Sequence, residues 1–293
     1  MRVRWRGRVG GALCLALGGL LLAGCEGTDE GGLTVVAALY PLAWSAENVG
    51  GEGVEVIDLT PPGVEAHDAT LTAEQRAEVE RADAVLLLRV EGFQPEIEQA
   101  AGDRSEGVFE VLGTGPRPEG VPSDDPHVWL DPVRMASIVE EVAGALETVD
   151  GSGGDGYRSR AAGVVGDLES LHEDAAETLT GCRYDTLIVT HDAFGYLAAR
   201  YGFVQLGLTG LTPEAEPSAE RREAAGDAIR LGRAGAVFFE LTDEGERAGR
   251  QVAEDLGVPA LPLSTLESAP EEGDYRSVMR SNLDALRRGM GCG

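Results

Sequence analysis

Short apolar runs alternate with longer amphipathic stretches from residue 33 onward. Residues 33–39, 54–59, 84–88 and 108–112 are aliphatic, rich in Val and Leu, and short enough to be strands. The same kind of run returns at 186–190, 204–208, 236–239 and 260–263. Between the first set, residues 72–81 read as a helix, because Thr72 can cap it and Gln75 stands at the reciprocal capping position. Asp131-Pro132 opens a helix that runs to about Thr148, since proline suits a first helical turn. After a glycine-rich break at 150–156, Val164, Val165, Leu168, Leu171 and Ala175 recur at helical spacing and predict one long helix from Tyr157 to about Thr180. Val278, Met279, Leu283 and Leu286 predict a last helix over 275–288. Strands alternating with helices predict parallel sheets covered on both faces. The halves are similar in size, with the long helix between them. The expected fold is therefore α/β, with two lobes that are each a mostly parallel sheet flanked by helices. No sequence repeat relates the two halves.

Composition narrows the function. The 293 residues are 43% hydrophobic, enough for a sizeable core. All 24 basic residues are Arg; without Lys there is no Walker A loop, Schiff base or kinase-type lysine. A net charge of −27 argues against nucleic acid as a partner. The acidic surface favours solubility and attracts cations, but defines no site.

The N-terminus reads as a targeting segment. Arg2, Arg4, Arg6 and Arg8 precede an apolar run, residues 10–22, too short for a comfortable membrane span. It closes on Leu22-Ala23-Gly24-Cys25, which resembles the lipobox of bacterial lipoproteins. That resemblance implies a signal peptide over 1–24, a lipid on Cys25 and a hydrophilic tether over 25–32. Cys14 would leave with the signal. Cys182 and Cys292 remain, and an oxidising compartment makes a disulfide between them the default. The remaining organisation expected is a first lobe over 33–150, the connecting helix over 151–180 and a second lobe over 181–293.

Three of the four histidines, His67, His127 and His191, lie in non-helical segments beside predicted strand ends, where open α/β sheets bind ligands. His172 falls inside the long helix and reads as a surface residue. Three imidazoles suit a borderline metal ion, and Asp68, Asp131 and Asp192 stand near enough in sequence to orient the rings. Spacing alone does not establish a shared site.

The motifs do more. Tyr40-Pro41-Leu42-Ala43-Trp44, Pro61-Pro62-Gly63-Val64-Glu65-Ala66-His67-Asp68, Asp125-Pro126-His127-Val128-Trp129-Leu130-Asp131-Pro132, Thr190-His191-Asp192-Ala193-Phe194-Gly195-Tyr196 and Tyr275-Arg276-Ser277-Val278-Met279-Arg280-Ser281-Asn282-Leu283 occur in that order. Together they resemble the ZnuA/TroA-like solute-binding lipoproteins of bacterial metal importers, over residues 33–290. The resemblance implies two lobes joined by one long rigid helix with a metal ion between them. His67 and His127 would come from the first lobe and His191 from the second. Family members complete the ligand set with a carboxylate shortly before the last helix. Counting back without gaps from Gly273-Asp274 reaches Ser264, a poor ligand. Water or Glu240 is therefore favoured as the fourth ligand, with Glu267 available after a loop shift. The His-rich acidic loop common in zinc members is missing, since residues 113–125 are few and contain no His.

Manganese-preferring members replace the third His with Glu, so His191 implies Zn²⁺, with Mn²⁺ as the alternative; imidazoles suit tetrahedral zinc. The implied protein is not an enzyme. It is a monomer exported to the outer face of the cytoplasmic membrane, anchored there through lipid on Cys25, and it hands metal to an ABC permease and its ATPase. A metal-binding adhesin or storage lipoprotein would use the same site. A zinc hydrolase would also fit three His plus water, but the chain has no His-Glu-x-x-His pair and no Gly-x-Ser-x-Gly elbow.

Overall fold

The computed structural model describes residues 32–293 except 89, 91 and 212–217. The signal peptide, Cys25 and most of the tether expected from sequence lie outside the described residues. The first sheet holds β1 (Leu33–Ala37), β2 (Val54–Asp58), β3 (Ala84–Leu88) and β4 (Val108–Val111), all parallel, in the order β2-β1-β3-β4. Its helices are α1 (Tyr40–Gly50), α2 (Ala73–Arg81), α3 (Pro95–Gly102) and α4 (Pro132–Val149). The long helix α5 (Gly154–Thr178) follows. The second sheet holds β5 (Thr186–Val189), β6 (Val204–Gly207), β7 (Val237–Glu240) and β8 (Ala260–Leu263), again parallel, in the order β6-β5-β7-β8. Its helices are α6 (Gly195–Tyr201), α7 (Ala219–Arg230), α8 (Asp243–Leu256) and α9 (Tyr275–Met290).

Local chemistry sets several of these boundaries. Thr72 and Gln75 form the expected capping box at the start of α2. Asp131 caps α4, accepting from the Val133 N–H, with Pro132 at the first helical position. Helix α1 shows no amphipathic stripe because nine of its residues, including Leu42, Trp44 and Val49, are buried on all sides. Helix α5 starts at Gly154, inside the glycine-rich break, and the four residues before it fold the chain back so that α5 packs along α4. Arg160 of α5 donates to the carbonyls of Val49 and Gly50 and so caps the end of α1. Toward its other end, α5 packs on α9 and pairs Asp167 with Arg276. A disulfide joins Cys182, just before β5, to Cys292, just after α9.

One apolar core reaches across both sheets, and a smaller cluster with Ile188, Leu208, Val237 and Val252 belongs to the second sheet alone. Trp44 and Trp129 from the first half, and Leu266 and Tyr275 from the second, belong to the same buried cluster. The Trp44 and Tyr275 rings lie 5.0 Å apart. The Tyr275 hydroxyl donates to the Trp129 carbonyl at 2.5 Å, and the Trp129 indole N–H donates to the Thr265 carbonyl at 2.7 Å. These contacts bring the carboxyl ends of the two sheets face to face, where parallel sheets expose their ligand-binding loops. Among the described residues, no helix is long and apolar enough to cross a membrane.

Candidate metal centre

Four side chains from four loops converge between the sheets. His67 sits in a 3₁₀ turn, Ala66–Asp68, on the connection after β2. That turn is held by Gln94, a buried side chain whose amide donates to the carbonyls of Ala38 and Ala66. His127 immediately precedes a second 3₁₀ turn, Val128–Leu130, on the connection after β4. His191 follows β5, and Glu267 follows β8. One ligand atom from each of the four residues lies within 4.8 Å of all the others.

The separations match the needs of a small cation. The Nε2 atoms of His67 and His127 are 3.4 Å apart, and Glu267 Oε1 is 3.2 Å from His127 Nε2 and 3.8 Å from His67 Nε2. A tetrahedral ion with bonds of about 2.0–2.1 Å keeps its ligand atoms about 3.3–3.4 Å apart. The outer nitrogens reinforce this reading. Carboxylates only accept, so the Nδ1 atoms of His127 and His191 carry the protons that they donate, to Asp125 Oδ1 at 2.8 Å and Glu240 Oε2 at 3.1 Å. That arrangement turns the His191 Nε2 lone pair toward the centre, and does the same for His127 once the proton on its Nε2 is displaced. His191 Nε2 is buried with no hydrogen-bond partner, an arrangement that costs free energy unless something binds there.

Titration separates the rings. Burial pulls His67 down to about 4, opposed in part by the Glu267 charge, so this ring is neutral at pH 7. Burial opposes protonation of His127 as well, but its hydrogen bonds to Asp125 and Glu267 outweigh burial and hold its pKa above the ordinary imidazole value. Burial works against the Glu267 charge too, and His127 more than compensates, keeping its pKa below the carboxylate range. Before metal arrives, the centre therefore stores a proton on His127.

Glu267 is wedged into the first half of the molecule. Its Oε2 accepts from the Ala66 N–H at 2.7 Å, and its carbonyl accepts from the Tyr40 N–H. The preceding residue, Leu266, has φ +56°, the left-handed region that a leucine adopts only under constraint. The Ser264 hydroxyl accepts from the Leu266 N–H and so braces that turn. Beside Glu267 a cleft of about 590 Å³ reaches solvent; Glu65, Glu240, Asp243 and Glu244 also line it, making the approach acidic.

The structure brings His67, His127 and His191 together. Glu240, expected from sequence as the fourth ligand, stands behind His191 instead, and Glu267 occupies the fourth position. Glu240 ends β7 beside β5, so its carboxylate meets the outer nitrogen of the ring rather than the centre. The gapless count reached Ser264 because the connection between β8 and α9 has no regular structure to fix the offset. The orienting carboxylates also differ from those expected. Asp131 receives Arg200 and Asp192 receives Arg221, while Asp125 and Glu240 hold the rings. The side chain of Asp68 lies outside the described residues. Asp125 was legible in part: it stands two residues before His127, close enough to accept both the backbone N–H and the ring N–H of that residue. His172 is partly buried on α5 against the Tyr201 hydroxyl, apart from the cluster.

The family profile of the zinc-uptake complex component A, periplasmic, matches residues 35–289. The zinc-binding lipoprotein AdcA of Streptococcus pneumoniae is 28% identical over 94% of this chain, and the high-affinity zinc uptake system protein ZnuA of Bacillus subtilis is 27% identical over 97% of both chains. The chain spans 56–60% of the length of the AdcA proteins it matches. Among solved structures, the Zn(II)-bound ZnuA-like domain of S. pneumoniae AdcA superposes with a TM-score of 0.74 at 28% identity, covering 89% of this chain and 99% of that domain. The laminin-binding protein Lmb of Streptococcus agalactiae, described as bifunctional with adhesin and metal transporting activity, gives 0.77 at 26%, covering 88% of this chain and 100% of that one. With a family profile running from β1 to the end of α9 and the same two-sheet fold in these relatives, the chain belongs to the zinc-uptake complex component A family.

Proposed function

We propose that this chain is the extracytoplasmic capture protein of a zinc importer, holding one Zn²⁺ with His67, His127, His191 and Glu267 and delivering it to an ABC permease driven by its ATPase. The observation that carries the reading is the set of three imidazoles and one carboxylate with donor atoms within 4.8 Å of one another, those of His67, His127 and Glu267 being 3.2–3.8 Å apart, with His191 Nε2 buried and unpartnered. Three nitrogens and one oxygen favour zinc over manganese, which prefers more oxygen donors. His127 and His191 are pinned by their carboxylates, the acidic cleft leads to the centre, and no catalytic step is needed. The organisation that accompanies this role is a signal peptide over 1–24, a lipid on Cys25, a tether over 25–32, lobes over 33–150 and 181–293, and α5 as the connection between them. The protein would work as a monomer on the outer face of the cytoplasmic membrane.

Calorimetry with the mature chain tests this directly. One equivalent of Zn²⁺ should bind at neutral pH, more tightly than Mn²⁺; no uptake would refute the proposal. The likeness to Lmb favours adhesion as a second reading. Binding of the zinc-loaded chain to immobilised laminin would support it, and its absence would leave import alone.

A further inference from the structure

The short helix α6 touches the first half of the molecule at both ends. At its far end, Arg200 grips Asp131 with Nε and a terminal nitrogen, at 2.7–3.0 Å. At its near end, a Cβ placed on Gly195 would lie 2.8 Å from Asp125 Oδ2. Asp125 and Asp131 flank His127 and Trp129 in one segment, while α6 begins four residues after His191. Asp125 is 1% exposed; its Oδ1 accepts both the backbone N–H and the ring N–H of His127, and its Oδ2 is buried without a hydrogen-bond partner. The next nearest neighbour of the added Cβ is Val121 at 3.6 Å, so the carboxylate oxygen is the one atom that a side chain here would crowd. Gly195 has ordinary helical backbone, so conformational freedom does not account for a glycine here.

We infer that Gly195 is a positioning residue for metal binding: α6 is a strut from the second half of the molecule, and Gly195 lets it seat against Asp125 so that His127 faces the centre only when the halves are closed. This inference rests on the proposed zinc site. His191 and Gly195 ride on the same segment, so a movement that withdraws His191 also withdraws the support behind Asp125. Two ligands from opposite halves are thereby released together.

The test is a double-mutant cycle on the mature chain, read as the rate of Zn²⁺ loss to a chelator in stopped flow. Gly195→Ala should accelerate dissociation by about tenfold, the lower end of what disturbing a ligand's outer partner costs. Asp125→Ser removes Oδ2 and is itself expected to weaken binding. In that background the added methyl no longer meets the carboxylate, so Gly195→Ala should change the rate by less than about twofold. An equal acceleration in both backgrounds, or none in the wild-type background, overturns the inference. Should Gly195→Ala not fold, Arg200→Gln loosens the other end of the strut without touching Asp125. It should speed zinc loss and shift the His127 ring ¹⁵N resonances of the metal-free protein; unchanged rate and resonances overturn the inference. Failure of the wild-type chain to take up zinc is a separate result that removes the proposed function itself.

Discussion

The two halves of the molecule are built on one plan and used differently. Each sheet has four parallel strands, with the first and third at the centre and the second and fourth at the edges. In the first half, the clustered donors come from the connections after both edge strands, His67 after β2 and His127 after β4. In the second half they come after a central strand, His191 behind β5, and after the last edge strand, Glu267 behind β8. His127 and Glu267 thus occupy equivalent places in the two sheets, yet one is an imidazole and the other a carboxylate hydrogen-bonded to it. The shared topology supplies strand ends facing a common gap. The loops alone decide which donor fills it, and that is why the halves show no sequence repeat.

Support differs as well as placement. His127 and His191 are each backed by a buried carboxylate, whereas His67 is 14% exposed and packs edge-on against Phe93 at 4.7 Å. The largest expected effect is on the backed rings: His127→Ala should lower zinc affinity by more than about a hundredfold by competition with a chelator, beyond the loss from disturbing an outer partner. If His67→Ala costs as much, backing by a carboxylate does not rank the ligands. Next, Glu240→Gln should cost about tenfold, by removing the charge behind His191 while keeping an acceptor. A smaller effect is protonic. Calorimetry of zinc binding near pH 7 in buffers of different ionisation enthalpy should register about one proton released, that of His127.

The same proton affects the metal-free fold. A pKa raised above the unfolded value of about 6.5 stabilises the native state fully below that value, and the benefit is lost as pH rises through the raised pKa. Asp58, which burial pushes up to about 7, acts in the same direction only up to that pH. Thermal unfolding of the metal-free chain should therefore fall by a few degrees from neutral into the alkaline range, and the zinc-loaded chain should stay flat. A parallel fall in both would detach the effect from His127. Smallest of all, His172→Ala should leave zinc affinity within about twofold of wild type, because its ring meets Tyr201 and not the centre.

Much of this was legible beforehand. Strands announce themselves by short aliphatic runs: seven of the eight described strands fall inside the expected segments, and β7 runs one residue past its own, to Glu240. Helices with a clean stripe or a cap, such as α2, α4, α5 and α9, were readable too. Helices α1, α3, α6, α7 and α8 were not read: α1 is buried all round, α3 and α6 are short, and α7 and α8 have caps, Ser218 and Thr242, that were passed over. The three histidines stood out by motif; Glu240 and Glu267 were both named as candidates, but with their places exchanged. Asp125 stands two residues from His127, but Glu240 and Glu267 find their partners through strand adjacency and loop conformation over separations of 49 and 201 residues, which no local spacing encodes.

Leu266 gives the Glu267 loop a particular mechanical character. It is the one non-glycine residue with positive φ among the described residues, and it is buried at the same time. A leucine held left-handed sits roughly 1–2 kcal/mol above its relaxed conformation. Apolar packing and the Ser264 brace keep it there, so the loop behaves like a cocked latch. Were that packing to loosen, relaxation of this single residue would move the Glu267 carboxylate with it, with no other backbone strain to overcome in the turn.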